Sequence, residues 1–205
     1  MRLVIGMTGA TGAVLGIRLL ERLRDLEVET HLVLSRWART TIELETPYRV
    51  REVADLATVV HGAADHTAPI ASGSFPTSGM IVAPCSMKTL AAIRHGYGEG
   101  LIPRAADVTL KERRRLVLMA REAPLSEIHL ENMLALARMG VVVLPPVLGF
   151  YNDPQSLDDV VAHLTARVLD QFGLDSPAAK RWTGLPRPAD EASPRRRSDA
   201  VRRPA

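Results

Sequence analysis

The sequence predicts an α/β protein with a parallel β-sheet, and three observations support this fold class. Short apolar runs alternate along the chain with amphipathic stretches of helical period, as expected when a crossover helix follows each strand. Several of these runs stop at Gly or Pro. A glycine-rich turn joins the first apolar run to the first amphipathic stretch. With 205 residues, the chain is expected to form one main domain.

The strands are expected where a short apolar run is bounded by a turn residue or by a charged helix. The run at 116–120, for example, lies between a cationic segment and Pro124, which is typical of a buried parallel strand. The expected strands cover residues 2–7, 30–34, 79–83, 116–120 and 141–144.

The helices are expected where apolar residues recur every three or four positions. In the first, Leu15, Leu19 and Leu23 fall on one face. Gly140 follows the sixth and is a typical helix C-terminus residue. The expected helices cover residues 13–26, 37–45, 51–56, 87–94, 105–114, 125–139 and 156–172.

Charge and proline separate a near-neutral body from a basic tail. From Ser176 onward, eight basic and three acidic residues give a charge of +5, and because the whole chain carries +3, residues 1–175 carry −2. A body without a basic stripe argues against nucleic-acid binding. The same end of the chain holds five of the 14 prolines and few apolar residues. We therefore predict a domain over 1–174 and a disordered tail over 175–205.

The remaining composition excludes several classes of protein. One cysteine, Cys85, cannot form an internal disulfide framework, and we expect it to be a small buried residue. The sequence contains no signal-peptide core and no apolar run of about 18 residues, so we expect a cytoplasmic protein without a membrane span. The six histidines are scattered and form no HxxxH pair, and there is no CxxC, so no metal site is expected.

Two strand-to-helix turns carry the residues that favour a phosphate-bearing ligand. The first, at 6–13, reads GMTGATGA, and the second, at 84–89, reads PCSMKT. Glycines allow a close backbone approach, and a helix N-terminus offers unpaired N–H groups to an anion. Neither turn has the spacing of a dinucleotide fingerprint or a P-loop lysine. Two such turns side by side would form a mononucleotide cleft.

Three further positions remain open between a ligand contact and a structural role. Ser35 follows the second strand, where it could bind a ligand oxygen or cap the next helix. Arg121 and Glu122 follow the fourth strand, at the edge where open α/β sheets bind ligands. They suit phosphate chemistry with proton transfer, but an ordinary ion pair at a strand end has the same sequence.

The chain resembles the flavin prenyltransferase family, whose members were formerly named phenylacrylic-acid or hydroxybenzoate decarboxylase subunits. Eight ordered blocks within residues 1 to about 174 carry the resemblance. They are GMTGATGA (6–13), HLVLSRWAR (31–39), SGSF (72–75), PCSMKTLAAI (84–93), RAADVTLKERRRLVL (104–118), REAPL (121–125), PPVLGFY (145–151) and RVLDQF (167–172).

The resemblance implies a Rossmann-like, flavodoxin-type three-layer fold in a homo-oligomer, commonly a dodecamer. It implies transfer of a dimethylallyl group from dimethylallyl monophosphate to N5 and C6 of reduced FMN, without a metal. The product, prenylated FMN, would serve a UbiD-type decarboxylase of aromatic acids.

The resemblance also assigns residues, some of which it implies come from a neighbouring subunit. The FMN site would contain Gly9, Ala10, Thr11, Ser35, Ser86, Met87, Lys88, Thr89 and Arg121. The prenyl-phosphate site would contain Arg104, Lys111, Arg121, Tyr151 and Arg167. The expected catalytic residues are Glu122, Glu45, Lys111, Arg121 and Tyr151. The departing phosphate, assisted by Glu122 or Glu45, is the expected acceptor of the C6 proton.

Three alternative functions compete with this hypothesis. An FMN-dependent cysteine decarboxylase would share the fold, but that group has a catalytic histidine early in the chain, whereas the first histidine here, His31, lies inside a predicted strand. A non-catalytic accessory subunit of a phenolic acid decarboxylase would not need the basic and acidic set. An NAD(P)H–flavin reductase is disfavoured because the chain lacks a dinucleotide fingerprint.

Overall fold

A six-stranded, all-parallel β-sheet forms the centre of the molecule. The computed structural model describes residues 1–176 together with residues 181, 182 and 184. The strand order is β3-β2-β1-β4-β5-β6, so the chain reverses direction across the sheet between β1 and β4. The strands are β1 (Arg2–Met7), β2 (Glu29–Leu34), β3 (Val59–His61), β4 (Gly79–Cys85), β5 (Arg115–Ala120) and β6 (Val142–Val143).

Helices cover both faces of the sheet and give three layers. One apolar core lies between the sheet and α1, α2, α3 and α7, and the other lies between the sheet and α4, α5 and α6. The α/β flavodoxin-type fold class predicted above is therefore confirmed. The helices are α1 (Ala13–Asp25), α2 (Arg36–Glu45), α3 (Val50–Ala54), α4 (Met87–Arg94), α5 (Leu101–Lys111), α6 (Glu127–Arg138) and α7 (Leu157–Asp170).

The strands are apolar throughout because both of their faces are buried. In β1, Leu3 and Ile5 belong to the first core, and Val4, between them, belongs to the second. In β5, Val117 and Leu118 divide in the same way. This period of two, with aliphatic residues at both phases, is the pattern of a parallel sheet covered by helices on each face.

The prediction of five strands was wrong by one, since the structure adds β3 at an edge of the sheet. This strand has three residues, and Val59 and Val60 are more than a third exposed. It pairs with β2 through positions 31–33. A run of three residues is too short to show an apolar period in the sequence. Its pairing with β2 defines this strand, so the sequence pattern did not reveal it.

Most predicted helix bounds differ from the observed bounds by one or two residues, but α5 begins four residues earlier than predicted. Gly100 precedes it with a φ of 85°, and Pro103 lies in its first turn. Proline is tolerated there because first-turn N–H groups have no intrahelical acceptor. Arg104 therefore lies within the first turn of α5 rather than at its start. After α5, Arg113 has a φ of 53°, which prevents the helix from continuing to Arg114 as predicted.

The predicted tail over 175–205 lies largely outside the described residues, so its disorder and the boundary after residue 174 remain predictions. Within the described part of the chain, every helix is too short or too polar to cross a bilayer.

Candidate functional site

A cavity of about 640 Å³ opens at the carboxyl ends of the central strands. The segments that follow β1, β2, β3 and β4 all contribute to its wall. In open α/β sheets the ligand crevice forms where the strand order reverses, because neighbouring connections there leave on opposite faces. The size falls within the usual range of about 300–1,000 Å³ for small-molecule sites. Its lining residues are Thr8, Gly9, Ser35, Arg36, Trp37, Ala63, Ala64, His66, Ser86, Lys88, Thr89, Ala92, Tyr97, Glu99, Gly100, Leu101, Ile102 and Pro103.

Thr8 joins the two turns that the sequence singled out. Its hydroxyl donates to the carbonyl of Pro84 at 2.8 Å and accepts from the amide of Ser86 at 2.8 Å. The Thr8 side chain is buried, so these bonds satisfy it away from water. The glycine-rich turn and the PCSMKT turn therefore lie side by side, as the cleft hypothesis requires.

Ser35 and Ser86 each line the cavity and each cap a helix. Ser35 Oγ accepts from the amide of Ala38 at 3.1 Å at the start of α2. Ser86 Oγ accepts from the amide of Thr89 at 3.3 Å at the start of α4, and it donates to the Thr89 hydroxyl at 3.1 Å. The two roles that the sequence left open for Ser35 are compatible, because a hydroxyl oxygen has a further lone pair and a proton.

Glu45 occupies the N-terminus of α1. One of its carboxylate oxygens accepts from the amides of Gly12 and Ala13, at 2.8 and 3.0 Å. The expectation that the first helix presents unpaired N–H groups is therefore wrong for these two amides. A carboxylate is favourable there because it meets the positive end of the helix dipole. Glu45 thus holds the glycine-rich turn against the end of α2.

Arg121 and Glu122 follow β5 at the same edge of the sheet as the cavity. The Arg121 amide donates to the carbonyl of Cys85 at 3.1 Å, which places the residue beside the PCSMKT turn. Both side chains are exposed, and Glu122 accepts from the amide of Ala123. Cys85 itself is completely buried, and burial raises the pKa of its thiol to about 12. Cys85 is therefore the small buried residue that the sequence predicted. A thiol with such a pKa is protonated and inert at neutral pH.

Arg104 and Lys111 lie at opposite ends of α5. Arg104 is next to Pro103 of the cavity wall, where its side chain donates to the carbonyl of Ala71 and pairs with Asp107. Lys111 is seven residues further, which is about 10 Å along a helix axis. It pairs with Glu112 near the start of β5, at the amino edge of the sheet. One subunit therefore does not bring Lys111 to the cavity.

Tyr151 and Arg167 lie together at α7. The Tyr151 ring meets His163 edge-to-face, with centroids 6.0 Å apart, and it meets Trp182 in the same way at 6.0 Å. Arg167 follows His163 by one helical turn and pairs with Asp170 at 2.5 Å. Desolvation, with help from the charge of Arg167, lowers the pKa of His163. These residues form a second cluster, separate from the wall of the cavity.

The structure adds cavity residues that the sequence did not identify. Trp37 lies against Gly9 so closely that a Cβ on Gly9 would be 2.3 Å from the Cβ of Trp37. Tyr97 and Glu99 reach the cavity from the loop between α4 and α5, where the Tyr97 hydroxyl donates to Glu99. The one signal for them was the alternation of glycine with these side chains at 96–100.

A buried histidine pair joins β2 to the edge strand β3. His31 Nδ1 lies 2.9 Å from His61 Nε2, and His31 Nε2 lies 3.0 Å from Glu29 Oε1. Hydrogen bonds from Arg2 and then from His31 lower the pKa of Glu29 to about 2, so its carboxylate is ionised and only accepts. His31 therefore donates from Nε2, and in its neutral form it accepts at Nδ1 from His61. Burial, followed by the charge of His31, lowers the pKa of His61.

Comparison with known proteins identifies the family. The model of the Flavoprotein family matches residues 1–169. A protein of Streptomyces sp. (strain D7), named a probable UbiX-like flavin prenyltransferase, is 68% identical over 186 residues, which are 90% of this chain and 93% of the relative. The chain belongs to the UbiX-like flavin prenyltransferase family. The resemblance stated from the eight sequence blocks is therefore confirmed.

Solved structures of flavin prenyltransferase relatives have the same fold. One is described as a dodecameric, FMN-dependent UbiX-like decarboxylase from Escherichia coli O157:H7. It is 65% identical, with a TM-score of 0.89 over 90% of this chain and all of that chain. Another is AnUbiX (PadA1) in complex with FMN and dimethylallyl pyrophosphate. It is 56% identical, with a TM-score of 0.89 over 90% of this chain and 98% of that chain.

The cavity fits the FMN that members of the flavin prenyltransferase family use. Five of the nine predicted FMN residues line it, namely Gly9, Ser35, Ser86, Lys88 and Thr89. Hydroxyls and a lysine suit a phosphate or a ribityl chain, and the apolar part of the wall suits a flat ring. Ala10 and Thr11 continue from Gly9, and Met87 lies between Ser86 and Lys88, with its side chain buried in the second core. Among the described residues, no cluster of three or more His, Cys, Asp or Glu could hold a metal ion.

Proposed function

We propose that the protein transfers a dimethylallyl group from dimethylallyl monophosphate to N5 and C6 of reduced FMN. The prenylated FMN would then serve a UbiD-type decarboxylase of aromatic acids. The observation that carries the proposal is the cavity at the strand reversal, with a hydroxyl-rich wall, in a chain that belongs to the flavin prenyltransferase family. The ligand named with AnUbiX is the pyrophosphate, so both donors belong in the test.

In this proposal the first set of residues holds FMN in the cavity. Ser35, Ser86, Lys88 and Thr89 offer donors, and Gly9 allows the ring or chain to approach the backbone. Ala10, Thr11, Met87 and Arg121 complete the predicted set. Reduced FMN supplies the nucleophilic atoms N5 and C6 when it is bound. The contribution of the protein is to orient those atoms and to exclude water from the reacting face.

The second set of residues would hold the prenyl phosphate. Cleavage of the allylic C–O bond leaves its electron pair on the departing phosphate, and preorganised cations stabilise that charge. The proposed residues lie at separate places in one chain, since Lys111 is at the amino edge of the sheet and Tyr151 is at α7. We therefore propose that subunits of a homo-oligomer, with a dodecamer as the expected assembly, bring Arg104, Lys111, Arg121, Tyr151 and Arg167 together.

Formation of the second bond requires a proton acceptor. The C6 ring proton leaves while the prenyl double bond gains a proton, so the formula of the adduct does not change at this step. We assign the acceptor to the departing phosphate, assisted by Glu122 or Glu45. The exposed Glu122 is the stronger candidate, because Glu45 Oε2 already accepts two hydrogen bonds from the start of α1.

Glu122→Gln is expected to accumulate the N5 adduct, separated from the ring-closed product by chromatography. Ring closure at the wild-type rate would remove Glu122 from this role.

The test of the function is an anaerobic reaction. Purified protein is mixed with reduced FMN and dimethylallyl monophosphate, or with the pyrophosphate, and the flavin is read by mass spectrometry after quenching. We expect a gain of one C5H8 unit. Unchanged flavin, with the protein folded and flavin-bound, would contradict the proposal and favour the cysteine decarboxylase or the accessory subunit.

The proposal includes a cytoplasmic location. One relative, from Saccharomyces cerevisiae, is named as mitochondrial, so location varies within the family. Fractionation of cells that express the protein would decide the question, and recovery with an organelle would contradict this part of the proposal.

A further inference from the structure

The carboxylate of Asp170 binds two arginines, one of which belongs to the proposed prenyl-phosphate site. Arg167 Nη1 lies 2.5 Å from Asp170 Oδ2 within α7. The Asp170 side chain is only 16% exposed, whereas the Arg167 side chain is 51% exposed. A carboxylate that has lost most of its water needs a cation nearby, so Asp170 competes with any phosphate for the guanidinium of Arg167.

The second arginine comes from beyond α7. Arg181 Nη2 lies 2.8 Å from Asp170 Oδ1, and Arg181 Nη1 lies 3.2 Å from Oδ2, so this ion pair is bidentate. Arg181 Nη2 also donates to Asp175 at 2.8 Å. The hydrogen bonds from Arg181 are the main cause that lowers the pKa of Asp170, and the charge of Arg167 contributes less. Arg181 therefore binds the carboxylate more completely than Arg167 does.

The stronger pairing of Arg181 with Asp170 affects whether Arg167 can leave Asp170 to bind a phosphate. With Arg181 in place, both oxygens of Asp170 keep a donor if the Arg167 guanidinium turns away. Without Arg181, the same movement would leave Asp170 with no arginine partner among the described residues. An uncompensated carboxylate would also repel the phosphate itself. Both effects oppose binding of an anion by Arg167.

We infer that Arg181 is a positioning residue for the prenyl-phosphate site, acting on Arg167 through Asp170. The inference rests on the proposed function, which places Arg167 in that site. Asp170 and Arg181 both lie after residue 169, where the match to the family model ends. The following residue, Trp182, contacts Tyr151, so the segment that binds Asp170 also contacts a second residue of the proposed prenyl-phosphate site.

The experiment compares Arg181→Gln, Asp170→Asn and the double variant in the full-length oligomer. Prenylation is measured anaerobically against the concentration of dimethylallyl monophosphate, with FMN affinity measured in parallel. We expect Arg181→Gln to raise KM for the prenyl donor by about tenfold, the loss of one favourable charge interaction, with kcat and FMN affinity nearly unchanged. Adding Asp170→Asn should return KM to within about twofold of the wild type, since the competing charge is gone.

Arg22→Gln is the matched control, because Arg22 also pairs with an aspartate three residues later, Asp25, in an exposed helix position. An unchanged KM in Arg181→Gln would overturn the inference. A raised KM that Asp170→Asn does not restore would also overturn it, since Arg181 would then act by another route. No prenylation by the wild-type protein would instead overturn the proposed function, and this inference would fail with it.

Discussion

The FMN cavity and the predicted prenyl-phosphate residues differ in what a single chain can assemble. One chain by itself forms the cavity wall described above, because four neighbouring strands end at the same edge of the sheet. The phosphate residues are divided between the two ends of α5, the end of β5 and α7. Parallel strands gather their own carboxyl ends, whereas a helix separates residues in proportion to its length.

The largest expected effect comes from removing a cation that another subunit would supply. Lys111→Met is expected to slow prenylation by about 10²–10³-fold, the usual cost of losing one preorganised donor at a developing charge. FMN affinity should change little, because Lys111 belongs to the predicted prenyl-phosphate set and not to the predicted FMN set. Arg115→Met, which removes an exposed cation at the start of β5, is the control.

Mixed oligomers sharpen this prediction. Lys111→Met and Arg121→Met are each expected to prenylate about 10²–10³-fold more slowly than the wild type, but co-assembled subunits should recover part of the activity. Recovery would occur because some sites would take Lys111 from one variant and Arg121 from the other. Mixtures as inactive as the separate variants, with exchange of subunits verified by mass, would contradict a shared site.

The same contrast explains which parts of the molecule could be predicted from the sequence. The four central strands could be predicted because both of their faces are buried and their apolar runs are continuous. The edge strand β3 could not, since its pairing with β2 leaves Val59 and Val60 partly exposed. The early start of α5 was missed because the residue before a proline usually avoids the helical region, a preference that this first turn overrides.

For the site, turn chemistry indicated the position of the cavity, but long-range partners did not appear in the sequence. The two turns that line it were found from glycine, serine and threonine near strand ends. The contact of Glu45 with the start of α1 was not, because it joins residues more than 30 positions apart. Tyr97 and Trp37 were missed for the same reason, since the fold alone brings them to the cavity wall.

A smaller effect is expected from crowding the cavity. Gly9→Ala would place a Cβ 2.3 Å from the Cβ of Trp37, an atom fixed close to the backbone of α2. Relief of the clash must move the turn or the helix, at a cost of about 1–3 kcal/mol. We expect FMN affinity to fall by about tenfold or more, measured by flavin fluorescence quenching. Gly98→Ala is the control, because a Cβ there meets nothing within 4 Å. Equal affinities in the two variants would show that Gly9 does not limit the cavity.

A still smaller effect separates capping from cofactor binding. Ser86 and Ser126 each cap a helix by accepting from the amide three residues later, so loss of either hydroxyl should destabilise the fold by about 1 kcal/mol. Only Ser86 lines the cavity among this pair. Ser86→Ala is therefore expected to weaken FMN binding roughly fivefold, the value of one neutral hydrogen bond, whereas Ser126→Ala leaves it unchanged. If both variants lost FMN affinity equally, the loss would be explained by reduced fold stability and not by a contact between Ser86 and FMN.

The smallest expected effect concerns His61, in the buried histidine pair. Its pKa is lowered by burial and by His31, while the unfolded chain keeps a value of about 6.5. Below that pH the unfolded state binds more protons, so His61 stabilises the fold near neutral pH and loses this contribution as the pH falls. Glu29 affects stability in a separate, more acidic pH range, because its pKa of about 2 lies below the ordinary 4.5.

At fixed protein concentration, the melting temperature of the wild type should fall between about pH 7.5 and 5.5. The fall should be shallower in His61→Gln and unchanged in His95→Gln, which alters an exposed ring. An equal fall in all three proteins would mean that the buried pair accepts a proton as readily as the unfolded chain does.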